Sequence, residues 1–84
     1  MKPIHEIRVF VEPKCVSCER VLNTVKVIKL NFKVEQLVVI NRAADPEYCR
    51  KFGILIFPAT FINGRLAFYG EFSVEEAQRF AQKV

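Results

Sequence analysis

Short apolar runs and segments of helical spacing alternate along this chain in an order that leaves few architectures open. Ile7-Arg8-Val9-Phe10-Val11 reads as a buried strand, bounded by Glu6 and by Glu12-Pro13. From Cys15 onward, Cys18, Val21, Leu22, Val25 and Ile28 recur at steps of three and four. Glu19, Arg20, Asn23, Lys26 and Lys29 fill the opposite side, so an amphipathic helix is predicted over 15–29. A turn near Leu30-Asn31 and a second strand over 33–40 follow, and the run Leu37-Val38-Val39-Ile40 suits burial on both faces. Asn41 to Ala44 form a loop. Asp45-Pro46-Glu47 then starts a helix, with Asp at the N-cap and Pro in the first turn, and this helix runs through about Phe52 to Gly53.

The apolar stretch Ile54-Leu55-Ile56-Phe57-Pro58 leads into Ala59-Thr60-Phe61-Ile62, and Asn63-Gly64 joins it to Arg65-Leu66-Ala67-Phe68-Tyr69. Asn-Gly between apolar runs is the signature of a hairpin with a type I′ turn, because both central residues need positive φ. Gly70 closes the second strand, and Ser73-Val74-Glu75-Glu76 is a capping box opening a last helix with Val74, Ala77, Phe80 and Ala81 on its inner face. The order is β-α-β-α-β-β-α, an α/β class. Each of the first two β–α–β passages supplies a crossover helix, the hairpin adds an antiparallel edge strand, and helices cover both faces of a mixed four-stranded sheet. Residues 1–84 are expected to form one domain.

Half of the residues are apolar and eight are Phe, which suits a packed globule and argues against disorder. The net charge of +4 is uneven: residues 1–42 hold eight Lys/Arg against four Asp/Glu, and residues 43–84 hold five of each. That excess fits a solvated helix face or attraction to an acidic partner. No dense basic cluster with interleaved aromatics points to nucleic acid. No apolar run approaches the roughly 20 residues of a membrane span. The first six residues lack the apolar core of a signal peptide. Three cysteines, an odd number, do not look like a secreted disulfide framework, so a reducing cytoplasm and a monomer are expected.

The chemistry-bearing motif is Cys15-Val16-Ser17-Cys18, placed between the first strand and the first helix. Two thiols at this spacing close a small disulfide ring or grip a soft metal such as Cu(I) or Zn²⁺. Position favours redox chemistry, since unpaired N–H groups and the dipole at a helix N-terminus stabilise a thiolate. A structural zinc site wants four ligands, and three cysteines with the terminal His5 fit poorly. Small copper chaperones also carry the motif after a first strand, but they begin the loop with Met-x-Cys, where this chain has Pro13-Lys14-Cys15. No metal site is assigned.

From about Ile7 to Val84 the chain resembles the thioredoxin superfamily, in the size range of glutaredoxins. The resemblance rests on four features in order: Cys15-x-x-Cys18, the Asp45-Pro46 helix ending Lys51-Phe52-Gly53, the segment Ile56-Phe57-Pro58-Ala59-Thr60 before a strand, and Asn63-Gly64 followed by Gly70. It implies a cis peptide bond at Phe57–Pro58, packed against the cysteine loop, and thiol–disulfide oxidoreductase activity. The redox-active Cys15–Cys18 disulfide then serves in place of a bound cofactor, with a disulfide-containing protein as substrate and an electron-donating reductase as partner. Cys15 is expected to be the exposed nucleophile, assisted by the cation of Lys14, and Cys18 the shielded resolving thiol. Pro58 is the third catalytic position, and Lys14, Phe57, Ala59 and Gly70 are the substrate-binding candidates.

Departures from the family pattern are specific. Lys14-Cys15-Val16-Ser17-Cys18 replaces Trp-Cys-Gly-Pro-Cys, and Val9 stands where such relatives carry a buried Asp. Ile56-Phe57-Pro58 and Tyr69-Gly70-Glu71-Phe72-Ser73 replace the Thr-Val-Pro and Gly-Gly-x-x-Asp segments that bind glutathione in glutaredoxins. These changes count against glutathione, and the bulk of Phe57 favours a protein substrate. Cys49, beside Tyr48 and Phe52, is expected to be a buried apolar side chain. His5 and Tyr69 carry no assigned role.

Overall fold

The computed structural model describes residues 3–83; Met1, Lys2 and Val84 lie outside the described residues. The elements are β1 (Glu6–Val11), α1 (Val16–Asn31), β2 (Gln36–Asn41), α2 (Pro46–Lys51), β3 (Ala59–Ile62), β4 (Arg65–Tyr69) and α3 (Val74–Lys83). They form the expected β-α-β-α-β-β-α order around one four-stranded sheet with strand order β2-β1-β3-β4. β1 pairs in parallel with β2, with Val9 opposite Val39, and antiparallel with β3, with Val9 opposite Thr60. β4 is antiparallel to β3, with a register irregularity at Thr60/Phe61.

One crossover was expected that the fold does not make. β2 ends with Asn41 beside Val11, and β3 begins with Ala59 beside Phe10, so the connection through α2 leaves and returns at the same end of the sheet. A six-residue helix spans only about 9 Å, whereas a six-residue strand runs about 20 Å. α2 is therefore too short to carry the chain back along the sheet, and β3 runs antiparallel.

Two other boundaries differ from expectation. α1 continues through Asn31 instead of turning near Leu30: Phe32 N–H bonds to the Ile28 carbonyl at 2.8 Å and the Asn31 side-chain Nδ2 donates to the Val27 carbonyl at 2.9 Å. Leu30 belongs to no buried face and is 85% exposed. β2 starts at Gln36 and lies at the sheet edge, so only Ile40 of its apolar run is buried and Val39 faces water.

The core has two layers. On one side of the sheet, Ile7, Val9, Val11 and Ile62 pack against Cys18, Val21, Val25 and Ile28 of α1 and Ala77 and Ala81 of α3. On the other, Phe10, Ile40 and Ala59 pack against Cys49 of α2 and Ile54. Phe10 is the hub of this second layer, its ring centroid 6.0 Å from that of Tyr48, 5.5 Å from Phe52 and 5.6 Å from Phe61. Arg8 lies on the same face, donating to the Tyr48 hydroxyl at 2.7 Å and pairing with Glu6 at 3.0 Å.

The local punctuation follows the sequence. The Asp45 carboxylate caps α2 by accepting from Tyr48 N–H. Ser73 and Glu76 exchange the two bonds of a capping box at 2.9 and 3.1 Å. Asn63 and Gly64 both take positive φ, +52° and +81°, in the two-residue hairpin turn. Asn63 also ties the turn back to the start of β1, its side-chain oxygen accepting from the His5 and Glu6 amides.

Truncating the hub tests this division of the core. Phe10→Ala is expected to cost about 3–5 kcal/mol in urea unfolding, against under about 0.5 kcal/mol for Leu30→Ala. A second test concerns Cys49, whose buried thiol is pushed above its ordinary 9.0 by desolvation and by Asp45, with Arg42 pulling it back. Because the folded state holds this proton more tightly than the unfolded chain, the associated stability is complete below the unfolded pKa. It is lost as pH rises through the folded one. With the Cys15–Cys18 disulfide kept oxidised, the stability advantage of wild type over Cys49→Ala should shrink above about pH 9; a gap independent of pH would contradict it.

Candidate active site

β1 delivers the chain to the end of the sheet, and the loop after it turns into α1. Lys14 makes this turn in the left-handed region, at φ +55°, a conformation that costs an ordinary side chain about 1–2 kcal/mol. Cys15 then occupies the N-cap of α1 with extended backbone, φ −120° and ψ 104°. Its sulfur accepts a 3.0 Å hydrogen bond from Cys18 N–H, doing the work of the oxygen that Ser, Thr or Asp supplies at most N-caps.

Cys15 and Cys18 are joined in a disulfide with Cα atoms 5.1 Å apart. Their environments differ. Cys15 is half-buried, whereas Cys18 is 2% exposed and sits in the core with Val9, Val21 and Val25. Among the described residues, no group of three or more His, Cys, Asp or Glu side chains is arranged to hold a metal ion.

The second wall is built by the segment before β3. The Phe57–Pro58 peptide bond is cis, and Pro58 and Ala59 are buried. The Pro58 carbonyl accepts the Gly70 N–H at 2.9 Å, so Gly70, at φ +78°, fastens the end of β4 to this turn and its own donor is used internally. Phe57 touches both core layers. Leu55 and Ile56 before it form no strand and are 89% and 56% exposed. Val16, inside the cysteine motif, and Tyr69, at the end of β4, are likewise exposed apolar side chains.

Two polar contacts were not legible as a pattern. The Arg42 guanidinium lies 5.5 Å from the centre of the Phe57 ring and pairs with Glu12 at 3.1 Å, linking the chain after β2 to the loop after β1. Glu71 accepts from the Ser17 hydroxyl at 3.1 Å and pairs with Arg20 at 3.5 Å. The Arg42–Glu12 and Glu71–Ser17 contacts join residues 30 and 54 positions apart, and no local sequence signal marks them. A groove of about 230 Å³ opens beside Phe57, lined by Arg42, Pro46, Cys49, Arg50 and Leu55 among others. A larger cavity of about 290 Å³, between Ile4, Phe32 and Ala81, lies at the far end of α1 and takes no part in this site.

Val9 is fully buried, and its cross-strand partner Thr60 is the one buried polar residue of the described core; the Thr60 hydroxyl has no hydrogen-bond partner there. The core beneath Cys18 therefore offers a hydroxyl and no carboxylate on this strand pair.

The fold is shared with known structures. Thioredoxin 1 from the thermophilic eubacterium Thermosipho africanus TCF52B superposes with a TM-score of 0.72 at 22% identity, over 93% of this chain and 96% of that one. Thioredoxin-2 of the malaria parasite, described as a component of its protein secretion machinery, superposes with a TM-score of 0.75 at 14% identity, over 100% of this chain and 86% of that one. No curated protein sequence matches the chain. The family described as the thioredoxin domain matches residues 5–82, which takes in both cysteines, the cis proline and the whole sheet. The chain belongs to the thioredoxin-domain family.

Proposed function

We propose that this chain, working as one domain, is a thiol–disulfide oxidoreductase acting on disulfides of protein substrates. The observation that carries this reading is the unequal burial of two joined sulfurs at the N-terminus of a sixteen-residue helix. Once reduced, Cys15 is the sulfur that a substrate can reach, and the helix N-terminus favours its thiolate. The Cys15 thiolate attacks one sulfur of the substrate disulfide, that S–S bond breaks, and the departing sulfur leaves as a thiolate that takes up a proton. Cys18, which gives up its proton, then attacks Cys15 in the mixed disulfide. The second substrate sulfur is released and the Cys15–Cys18 bond forms. A reductase supplies two electrons and two protons to reset the pair.

The surroundings support a protein substrate. The exposed Leu55 and Ile56 lead directly into Phe57 and the cis proline, offering apolar contact on the segment that enters β3. Lys14, next to Cys15, adds a cation on the loop side, and Phe57 and Ala59 flank Pro58.

Trapping tests the assignment of roles. Cys18→Ser, incubated reduced with a mixture of disulfide-bearing proteins, should accumulate mixed disulfides through Cys15 that excess dithiothreitol dissolves. Cys15→Ser should trap none and lose turnover. Equal trapping by both variants, or none by Cys18→Ser, refutes the assignment.

A further inference from the structure

The Cys15–Cys18 loop receives a negative charge from a distant element. The Glu71 carboxylate accepts the hydrogen bond of Ser17, the residue just before Cys18, at 3.1 Å. The segment carrying it is fastened on both sides. Gly70 before it donates to the Pro58 carbonyl at 2.9 Å, and Phe72 after it is buried and stacked on Phe68 with centroids 4.5 Å apart. The carboxylate is thus held at the motif by its backbone as well as by its side chain.

We propose that Glu71 sets the acidity of Cys15, and with it the redox poise of the Cys15–Cys18 couple, as a positioning residue that acts through Ser17. The proposal rests on the reading of Cys15 as the reactive thiol. An anion near an acid disfavours its ionised form, so the carboxylate opposes the helix N-terminus and keeps the dithiol from being over-stabilised. Of the other charges around Cys15, Lys14 adjoins it, Arg42 is paired with Glu12, and Glu19 and Arg20 lie on α1, where Arg20, 3.5 Å from Glu71, offsets part of the carboxylate's charge. Glu71 is the charge brought by a hydrogen bond into the motif from outside α1. Its side chain is 46% exposed, so its influence is screened by salt.

The test is the pH dependence of iodoacetamide alkylation of the reduced protein, with the modified thiol identified by mass spectrometry, alongside equilibration with glutathione. Glu71→Gln keeps an acceptor for Ser17 and removes the charge. Its Cys15 pKa should fall by about half to one unit. Its equilibrium should move about three- to tenfold toward the dithiol, or about 15 to 30 mV. Both differences should shrink at about 1 M salt. Ser17→Ala, which frees the carboxylate without removing it, should shift the pKa in the same direction by less, and it decides the matter if Glu71→Gln does not fold. Alkylation at Cys15 with an unchanged or raised pKa overturns the role of Glu71 alone. Alkylation of wild type at Cys18 first overturns the reading of Cys15 and the proposal with it.

Discussion

β1 is hydrogen-bonded along both edges, to β2 in parallel and to β3 antiparallel, and its side chains supply the middle of both core layers. Ile7, Val9 and Val11 face α1 and α3, while Phe10 faces α2. The site depends on this arrangement because both of its walls start at the same end of β1. The loop after Val11 brings Cys15 to the head of α1, and Ala59, beside Phe10, fixes where the cis proline stands. A one-residue slip of β1 would exchange its two faces and separate those walls. The parallel β1–β2 pairing, which requires the long α1 crossover, and the short return through α2 bring three chain segments to one edge of the molecule: 12–15, 54–58 and 70–71.

Much of this was legible because it is local. The N-cap at Asp45, the capping box at Ser73 and Glu76, and the Asn63-Gly64 turn are each decided by a few neighbouring residues. The strand and helix order followed from apolar spacing for the same reason. Spacing does not report what covers a strand. Leu37-Val38-Val39-Ile40 has the composition of a central strand but lies at an edge, because the chain after α2 returns to pair with the other side of β1 and no strand is added beyond β2. Leu30 likewise has the look of a buried residue and stands in water at the end of α1. The cysteine pair and Pro58 could be read from the sequence, the latter through family resemblance. The Arg42–Glu12 and Glu71–Ser17 contacts could not, since they join segments whose proximity is a product of topology alone.

The disulfide sits where two electrostatic demands conflict. A helix N-terminus with an adjacent lysine favours a thiolate, and the more it does so the more the dithiol gains over the disulfide. A reductant needs that bias limited. A carboxylate buried beneath the pair would limit it strongly, because low dielectric magnifies charge interactions, but desolvation would cost several kcal/mol. In a domain of this size that is a large share of the total stability of roughly 5–15 kcal/mol typical of folded proteins.

Here the core position next to the cysteine loop is Val9, packed at full burial among Cys18, Val21 and Val25. Among the described residues, Thr60, whose hydroxyl has no hydrogen-bond partner there, is the one polar residue buried with it. A negative charge reaches the motif at the surface instead, on the half-exposed Glu71, where much of its solvation is retained and the desolvation cost of a buried carboxylate is avoided. That placement leaves the core apolar and makes the charge weaker and sensitive to ionic strength. It also leaves no buried carboxylate on the Val9–Thr60 strand pair beside Cys18. The apolar floor of this site and its polar rim are thus two consequences of one constraint: in a small four-stranded sheet, the residue of β1 under the resolving thiol is also a residue of the core.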